Sequence, residues 1–164
     1  MNPTYPGGVW PVMLTPFTEE NRVDEAALEK LVDWYIDRGV DGLFAVCQSS
    51  EMFFLSFEER VHITELVVRF AAGRVPVISS GQVSEDLSEQ VREVEAIWKA
   101  GAAAVVLITN LFAKENESDE VWFSNLSRLL DAVDPSIPLG FYECPYPYKR
   151  VLGPELLRRC AETG

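Results

Sequence analysis

Short apolar runs alternate with amphipathic stretches along the chain. Val9–Leu14, Gly42–Val46, Val75–Ser80, Ala103–Thr109 and Leu139–Tyr142 are rich in β-branched or aromatic residues and are bounded by Gly, Pro or polar positions, a pattern that predicts buried strands. A helical period follows each. Leu28, Leu31, Val32, Tyr35 and Ile36 fall on one stripe, with Asp24 placed to cap the helix and Gly39 to end it. Ser56 and Glu59 form a capping box ahead of Ile63, Leu66, Val67 and Phe70, and Gly73 closes that segment. Leu87, Val91, Val94 and Trp98 follow an expected Ser84 cap and stop before Gly101. A fourth helix is expected from Ser118, with Trp122, Phe123, Leu126, Leu129 and Leu130 facing inward until Asp134-Pro135 breaks it. A fifth takes Pro154 into its first turn.

Strand and helix recurring at intervals of about 30 residues are the mark of βαβ units, whose crossovers are right-handed and whose sheet is parallel. Such a series either closes into a (β/α)8 barrel or stays open as a doubly wound sheet, and periodicity does not separate the two. Both place function at the C-terminal ends of the strands. There the chain offers Thr15-Pro16-Phe17, Cys47-Gln48-Ser49-Ser50-Glu51, Ser79-Ser80-Gly81, Thr109-Asn110 and Tyr142-Glu143-Cys144-Pro145. Small hydroxyls beside a tyrosine make a neutral, donor-rich pocket, suited to holding a carboxylate or carbonyl oxygen and moving one proton. The same residue types are also ordinary strand-to-helix loop chemistry.

Composition narrows the partners. The 164 residues are 48% hydrophobic and 24% charged, as in one globular domain, and 26 acidic against 14 basic residues give a net charge of -12. With no local basic cluster, that charge argues against nucleic acid. No apolar run reaches the roughly 18–20 residues that span a bilayer, and Met1-Asn2-Pro3-Thr4 opens no basic, apolar signal. A soluble, cytoplasmic protein is expected, with Asn2–Gly8 as a Pro/Gly-rich leader. Cys47, Cys144 and Cys160 form no C-x-x-C pair, and His62 is the only histidine, so structural zinc, paired imidazole ligands and His triads are excluded by inventory and no metal or cofactor is expected. All four are read as packing or surface residues. No G-x-G-x-x-G or G-x-x-x-x-G-K-[ST] follows any strand, which removes the common nucleotide folds, and Ser79-Ser80-Gly81 lacks the acid a phospho-acceptor receiver needs.

Thr15-Pro16-Phe17 after the first strand, Val75-Pro76-Val77-Ile78 as the third, and Tyr142-x-x-Pro145 after the fifth carry a resemblance, extended by Val23-Asp24, Leu28 and Arg38-Gly39. From about Gly8 to Gly164 the chain resembles the dihydrodipicolinate synthase/N-acetylneuraminate lyase family. The resemblance implies an α/β (β/α)8 TIM barrel in which a lysine on strand six forms a Schiff base with pyruvate or another 2-oxo acid, which then reacts with an aldehyde. It also implies a homotetramer. On this reading residues 1–164 are the N-terminal part of a single barrel domain, its first five βα units, and Gly164 is a helix stop before another strand. Lys30, Lys99, Lys114 and Lys149 all fall on helices or loops, so the Schiff-base lysine is expected after Gly164 and this segment alone is expected to be inactive.

The family's G-[ST]-T-G-E loop aligns with Cys47-Gln48-Ser49-Ser50-Glu51. Ser49 takes the position whose hydroxyl and amide hold the pyruvate carboxylate, with Gln48 and Ser50 beside it as further substrate-binding positions, while Glu51 is expected to hold loop amides. Tyr142 takes the place of the proton-shuttling phenol. Three departures stand out. Cys47 and Ser50 replace both loop glycines and Gln48 the first hydroxyl; the synthases' relay tyrosine falls at Phe112; and their substrate-binding arginine falls at Pro147, with Lys149-Arg150 nearby but out of register. Together they argue against dihydrodipicolinate synthesis itself and towards a lyase or aldolase sibling. The alternative is a non-catalytic barrel that binds a 2-oxo acid without turnover.

Overall fold

Pro11 sets the character of the first sheet edge. Segment 9–14 runs alongside the next strand, since the Asp41 amide donates to the Val9 carbonyl (2.9 Å), the Phe44 amide to Pro11 (3.0 Å) and the Met13 amide to Phe44 (3.0 Å). Proline has no amide to continue the ladder, and the segment keeps one parallel bridge, Val12 to Phe44, in place of the full strand expected there. Val9, Val12 and Leu14 are correspondingly exposed.

The computed structural model describes residues 7–163, so most of the Asn2–Gly8 leader and the expected stop at Gly164 lie outside the described residues. The sheet proper has four parallel strands in sequential order: β1 (Leu43–Phe44), β2 (Val77–Ser80), β3 (Ala104–Ile108) and β4 (Leu139–Tyr142). Between and around them run α1 (Glu25–Asp37), α2 (Phe57–Ala71), α3 (Leu87–Lys99), α4 (Asp119–Leu130) and α5 (Pro154–Ala161).

The helix ends follow from local chemistry. Asp24 accepts from the Ala27 amide, Ser56 and Glu59 complete the reciprocal box, and Ser118 caps α4. At α3 the cap is Asp86, accepting from the Glu89 amide at 3.1 Å, and not the expected Ser84, whose hydroxyl accepts from the Asp86 amide one turn earlier. Carboxylates and hydroxyls serve equally as caps, and the two-residue difference is set by where the loop after β2 releases the chain. Ala72 ends α2 in the left-handed region at φ 50°, with Gly73 following at 72°.

Because strand side chains alternate, the sheet has two faces. Leu43 and Val77 pack outward against Leu28, Val32, Ile63, Leu66 and Val67 of α1 and α2. Val105 and Leu107 do the same against Val94, Ile97, Trp122, Leu126 and Leu129. Phe44, Val106, Ile78 and Tyr142 cluster on the opposite, inner face. A parallel sheet with helices on one side and side chains filling the other is the α/β architecture of a (β/α)8 barrel, and every strand directs its C-terminal end to the same rim. Among the described residues no helix is long and apolar enough to cross a membrane.

Candidate active site

At that rim the end of segment 9–14 and the loops after β1 and β4 are joined by hydrogen bonds. After β1 the chain turns sharply through a 3-10 segment, Gln48–Ser50, held by Ser50. The Ser50 hydroxyl is fully buried, accepts from the Cys47 amide (3.2 Å) and lies within donating distance of the Met13 (2.7 Å) and Ala45 (2.8 Å) carbonyls. The Thr15 hydroxyl donates to the Ser50 carbonyl at 2.9 Å, joining the loop to the first segment. Ser50 therefore shapes the loop from inside, and its hydroxyl is committed to backbone. Ser49 is exposed, and neither its hydroxyl nor its amide is engaged by another described residue. Glu51 follows at φ 64° with its carboxylate exposed. Among the described residues no loop amide donates to that carboxylate, contrary to the sequence expectation.

Tyr142 closes β4 on the inner face, its ring edge-on to Phe44 with centroids 5.7 Å apart and planes at 80°. Burial pushes its phenol up to about 12, and the nearby Cys144 and Cys47 thiols add to the rise. At neutral pH it is a protonated donor. The Cys144 thiol is itself pushed up by burial. It lies 3.3 Å from the Gln48 side-chain oxygen and 3.4 Å from the Tyr146 carbonyl, linking the rim loops after β1 and β4. Gln48, Ser49 and Tyr142 thus come to one rim, with the bonded Cys144–Gln48 pair between the two loops. All three cysteines are free thiols.

Phe112, which falls at the synthases' relay position, and Arg150, near their arginine position but out of register with it, are held by other partners. Phe112 is buried against Trp122, ring centroids 5.3 Å apart, in the layer between the sheet and α4, because the 3-10 turn Thr109–Leu111 directs it outward. Arg150 is pinned to the start of α4 by the Glu117 carbonyl (2.8 Å) and the Asp119 carboxylate (2.7 Å). Lys30, Lys99, Lys114 and Lys149 are all exposed on helices or loops. His62 is half-exposed on α2, 2.9 Å from Glu25. Among the described residues no cluster of three or more His, Cys, Asp or Glu side chains is arranged to hold a metal ion.

The sequence reading passed over three features. Arg60 and Glu93 form a buried ion pair between α2 and α3, whose free ends reach the Leu55 carbonyl on one side and the Val83 and Ser84 amides on the other. Gln82 offers its side-chain oxygen to the Ile108 amide at 3.3 Å, in the place of a strand carbonyl. Asn110 gathers three carbonyls of the loop after β4. For Glu93 a signal was present: it lies one residue before Val94 and four before Ile97, on the buried stripe of α3.

Fold and rim together define a (β/α)-barrel protein whose polar groups are gathered at the C-terminal ends of its strands. The sequence model of the dihydrodipicolinate synthetase family matches residues 5–156, and the chain belongs to that family. A 4-hydroxy-tetrahydrodipicolinate synthase of Brucella suis is 35% identical over 133 residues, which is 81% of this chain and 44% of the relative. A crystal structure of a dihydrodipicolinate synthase superposes with a TM-score of 0.82 at 29% identity, covering 95% of this chain and 52% of the other. YagE, an E. coli K12 prophage protein of the dihydrodipicolinic acid synthase family solved in complex with pyruvate, gives 0.82 at 26% identity over 95% of this chain and 51% of its own. The chain spans about half the length of the relatives it matches. The expectation that the protein stands apart from dihydrodipicolinate synthesis finds no support in these relatives, several of which carry the synthase name.

Proposed function

We propose that the whole protein is a class I lyase that activates pyruvate, or a related 2-oxo acid, as a Schiff base and joins it to, or releases it from, an aldehyde. A lysine outside residues 1–164 supplies the amine. Its neutral nitrogen adds to the 2-oxo carbon to give a carbinolamine, and loss of water gives the iminium. The enamine formed by losing a proton is the nucleophile for carbon–carbon bond making. Ser49, with a free hydroxyl and amide, holds the substrate carboxylate beside Gln48, while Ser50 fixes the turn that presents them. Tyr142 passes the protons that carbinolamine dehydration and the aldehyde oxygen require. A homotetramer in the cytoplasm belongs to the same reading.

The observation that carries this proposal is the placement of Tyr142 at the end of β4 on the inner face, edge-on to Phe44, with the Cys144–Gln48 contact joining its loop to the loop that carries the unengaged Ser49. Family membership and the pyruvate complex of YagE support the substrate class. Tyr142→Phe in the complete protein is expected to lower kcat by about 10²–10⁴-fold, the scale of general acid–base catalysis, with 2-oxo acid binding little changed. Near-normal turnover in that variant rejects the assignment.

A further inference from the structure

Alternate carbonyls from Tyr142 to Arg150 converge on just two side chains. The Thr109 hydroxyl lies 2.9 Å from the Arg150 carbonyl and 3.4 Å from that of Tyr142. Between them, the Asn110 side-chain nitrogen donates to the carbonyls of Cys144 (3.0 Å), Tyr146 (2.8 Å) and Tyr148 (2.6 Å). An amide nitrogen carries two hydrogens, so one is shared between two acceptors. The turn is anchored in return: the Tyr148 hydroxyl lies between the Ala113 carbonyl and the Asn110 carbonyl, 3.0 Å from the latter, and the Trp122 indole donates to the Thr109 carbonyl at 2.6 Å.

The loop needs such a centre. Pro145 and Pro147 have no amides, and the Cys144 amide, bonded to the Tyr142 carbonyl at 2.8 Å, is the one loop amide from 143 to 150 with a backbone partner among the described residues. The orientation of the Asn110 amide is also fixed, since rotating it would aim its oxygen at three carbonyl oxygens. Asn110 is 5% exposed, and its side-chain oxygen has no partner among the described residues. A buried acceptor is left unmade so that the donors stay where the loop requires them.

We propose that Asn110, assisted by Thr109, is a positioning residue for Tyr142: it ties down the 143–150 loop, whose Cys144 thiol sits beside the phenol, without touching substrate itself. This inference rests on the reading of Tyr142 as the proton-transfer group. Replacing the amide by a carboxylate, Asn110→Asp, keeps the side-chain shape and turns three attractions into repulsions. The loop then opens and the phenol is solvated.

The test is a pH titration of tyrosine ring carbons by NMR, with the Tyr142 signal assigned by its loss in Tyr142→Phe. In the unmodified protein Tyr142 is expected to titrate near 12, and in Asn110→Asp to fall towards the ordinary 10.0. Thr109→Val, which removes the two outer contacts, is expected to give a smaller fall. Asn125→Asp removes a comparable bond, 2.8 Å to the Phe112 carbonyl, away from the loop and is expected to leave Tyr142 unmoved. A Tyr142 titration unchanged in folded Asn110→Asp overturns the proposal, as does an equal shift in Asn125→Asp. Should Asn110→Asp fail to fold, an unmoved titration in Thr109→Val overturns it instead. In the catalytically complete protein kcat is expected to fall about 10²-fold in Asn110→Asp, the cost of misplacing a reacting group by about 1 Å, with KM for the 2-oxo acid moving less than about threefold. The titration uses no substrate. A protein that does not react with pyruvate therefore sinks the functional reading while leaving the Asn110 assignment to its own result.

Discussion

Truncating Glu93 to alanine strands a guanidinium inside the protein. Arg60 is 5% exposed and pairs directly with Glu93, which is equally buried, and its other nitrogen donates to the Leu55 carbonyl at 3.0 Å. Removing one partner of such a pair costs about 3–5 kcal/mol, because the remaining charge is neither hydrated nor neutralised. The Glu93 carboxylate also accepts from the Val83 (3.0 Å) and Ser84 (3.2 Å) amides, both close enough to solvent that their loss adds only about 1 kcal/mol. Against a typical stability of about 5–15 kcal/mol, the variant should be near collapse. The pair itself is a different matter. Burial pushes the Arg60 guanidinium below its ordinary range, outweighing the pull of Glu93 upward, so the charges are held at a cost that an apolar pair would avoid. Arg60→Met/Glu93→Leu is accordingly expected within about 1 kcal/mol of the parent. Urea unfolding followed by tryptophan fluorescence, to which buried Trp122 contributes, run on Glu93→Ala and on Arg60→Met, Glu93→Leu and their double, gives both the truncation cost and the complete cycle. A loss under about 1 kcal/mol in Glu93→Ala, or a double variant as unstable as the worse single one, would refute the reasoning.

The two neighbouring serines should separate by role. Ser50→Ala, which strips the partner from the Cys47 amide and from the Met13 or Ala45 carbonyl, is expected to lose about 1–3 kcal/mol in chemical denaturation. Ser49→Ala should stay within about 0.5 kcal/mol in the same assay while weakening 2-oxo acid affinity measured by calorimetry. Alkaline stability offers a further check, since a Tyr142 phenol raised from 10.0 to about 12 keeps its proton longer when folded than when unfolded. Its stabilising contribution is complete below pH 10 and is lost as pH climbs towards 12. Tyr142→Phe should make that alkaline limb shallower without abolishing it, because Tyr35, Tyr148, Cys144 and Cys160 shift in the same direction; an unchanged limb counts against a desolvated phenol.

Much of the fold is written in local pattern. The stripes ending at Ile36, Phe70, Trp98 and Leu130 each became a helix because a period of 3.6 leaves a single way to bury them, and the Ser56–Glu59 box marks its helix start to the residue. Segment 9–14 was less legible. Its apolar content reads as a strand, but pairing depends on amides, and Pro11 removes one at the sheet edge. Tyr142 could be placed from its position at the end of an apolar run, now β4, whereas the split between Ser49 and Ser50 could not. Both are small hydroxyls in one short turn, and only the three-dimensional path of Met13 and Ala45 past that turn decides which is consumed. Phe112 shows the same limit, since the 3-10 turn Thr109–Leu111, which has neither the period of a strand nor that of an α-helix, decides that it packs against Trp122. Asn110 was visible as a polar residue ending an apolar run. Its three acceptors lie 34 to 38 residues away, a separation at which one-dimensional pattern carries no information.

In the proposed lyase this chain forms the rim of a Schiff-base pocket whose amine comes from elsewhere in the protein. The measurement is intact-mass spectrometry after incubation with pyruvate and borohydride, which reduces an iminium to a stable amine adduct, followed by peptide mapping. The complete protein is expected to gain one reduced pyruvate on a lysine outside residues 1–164, with Lys30, Lys99, Lys114 and Lys149 unmodified, since all four are exposed on helices or loops and none lies on a strand. No adduct on the complete protein, or an adduct on one of those four lysines, would contradict the account.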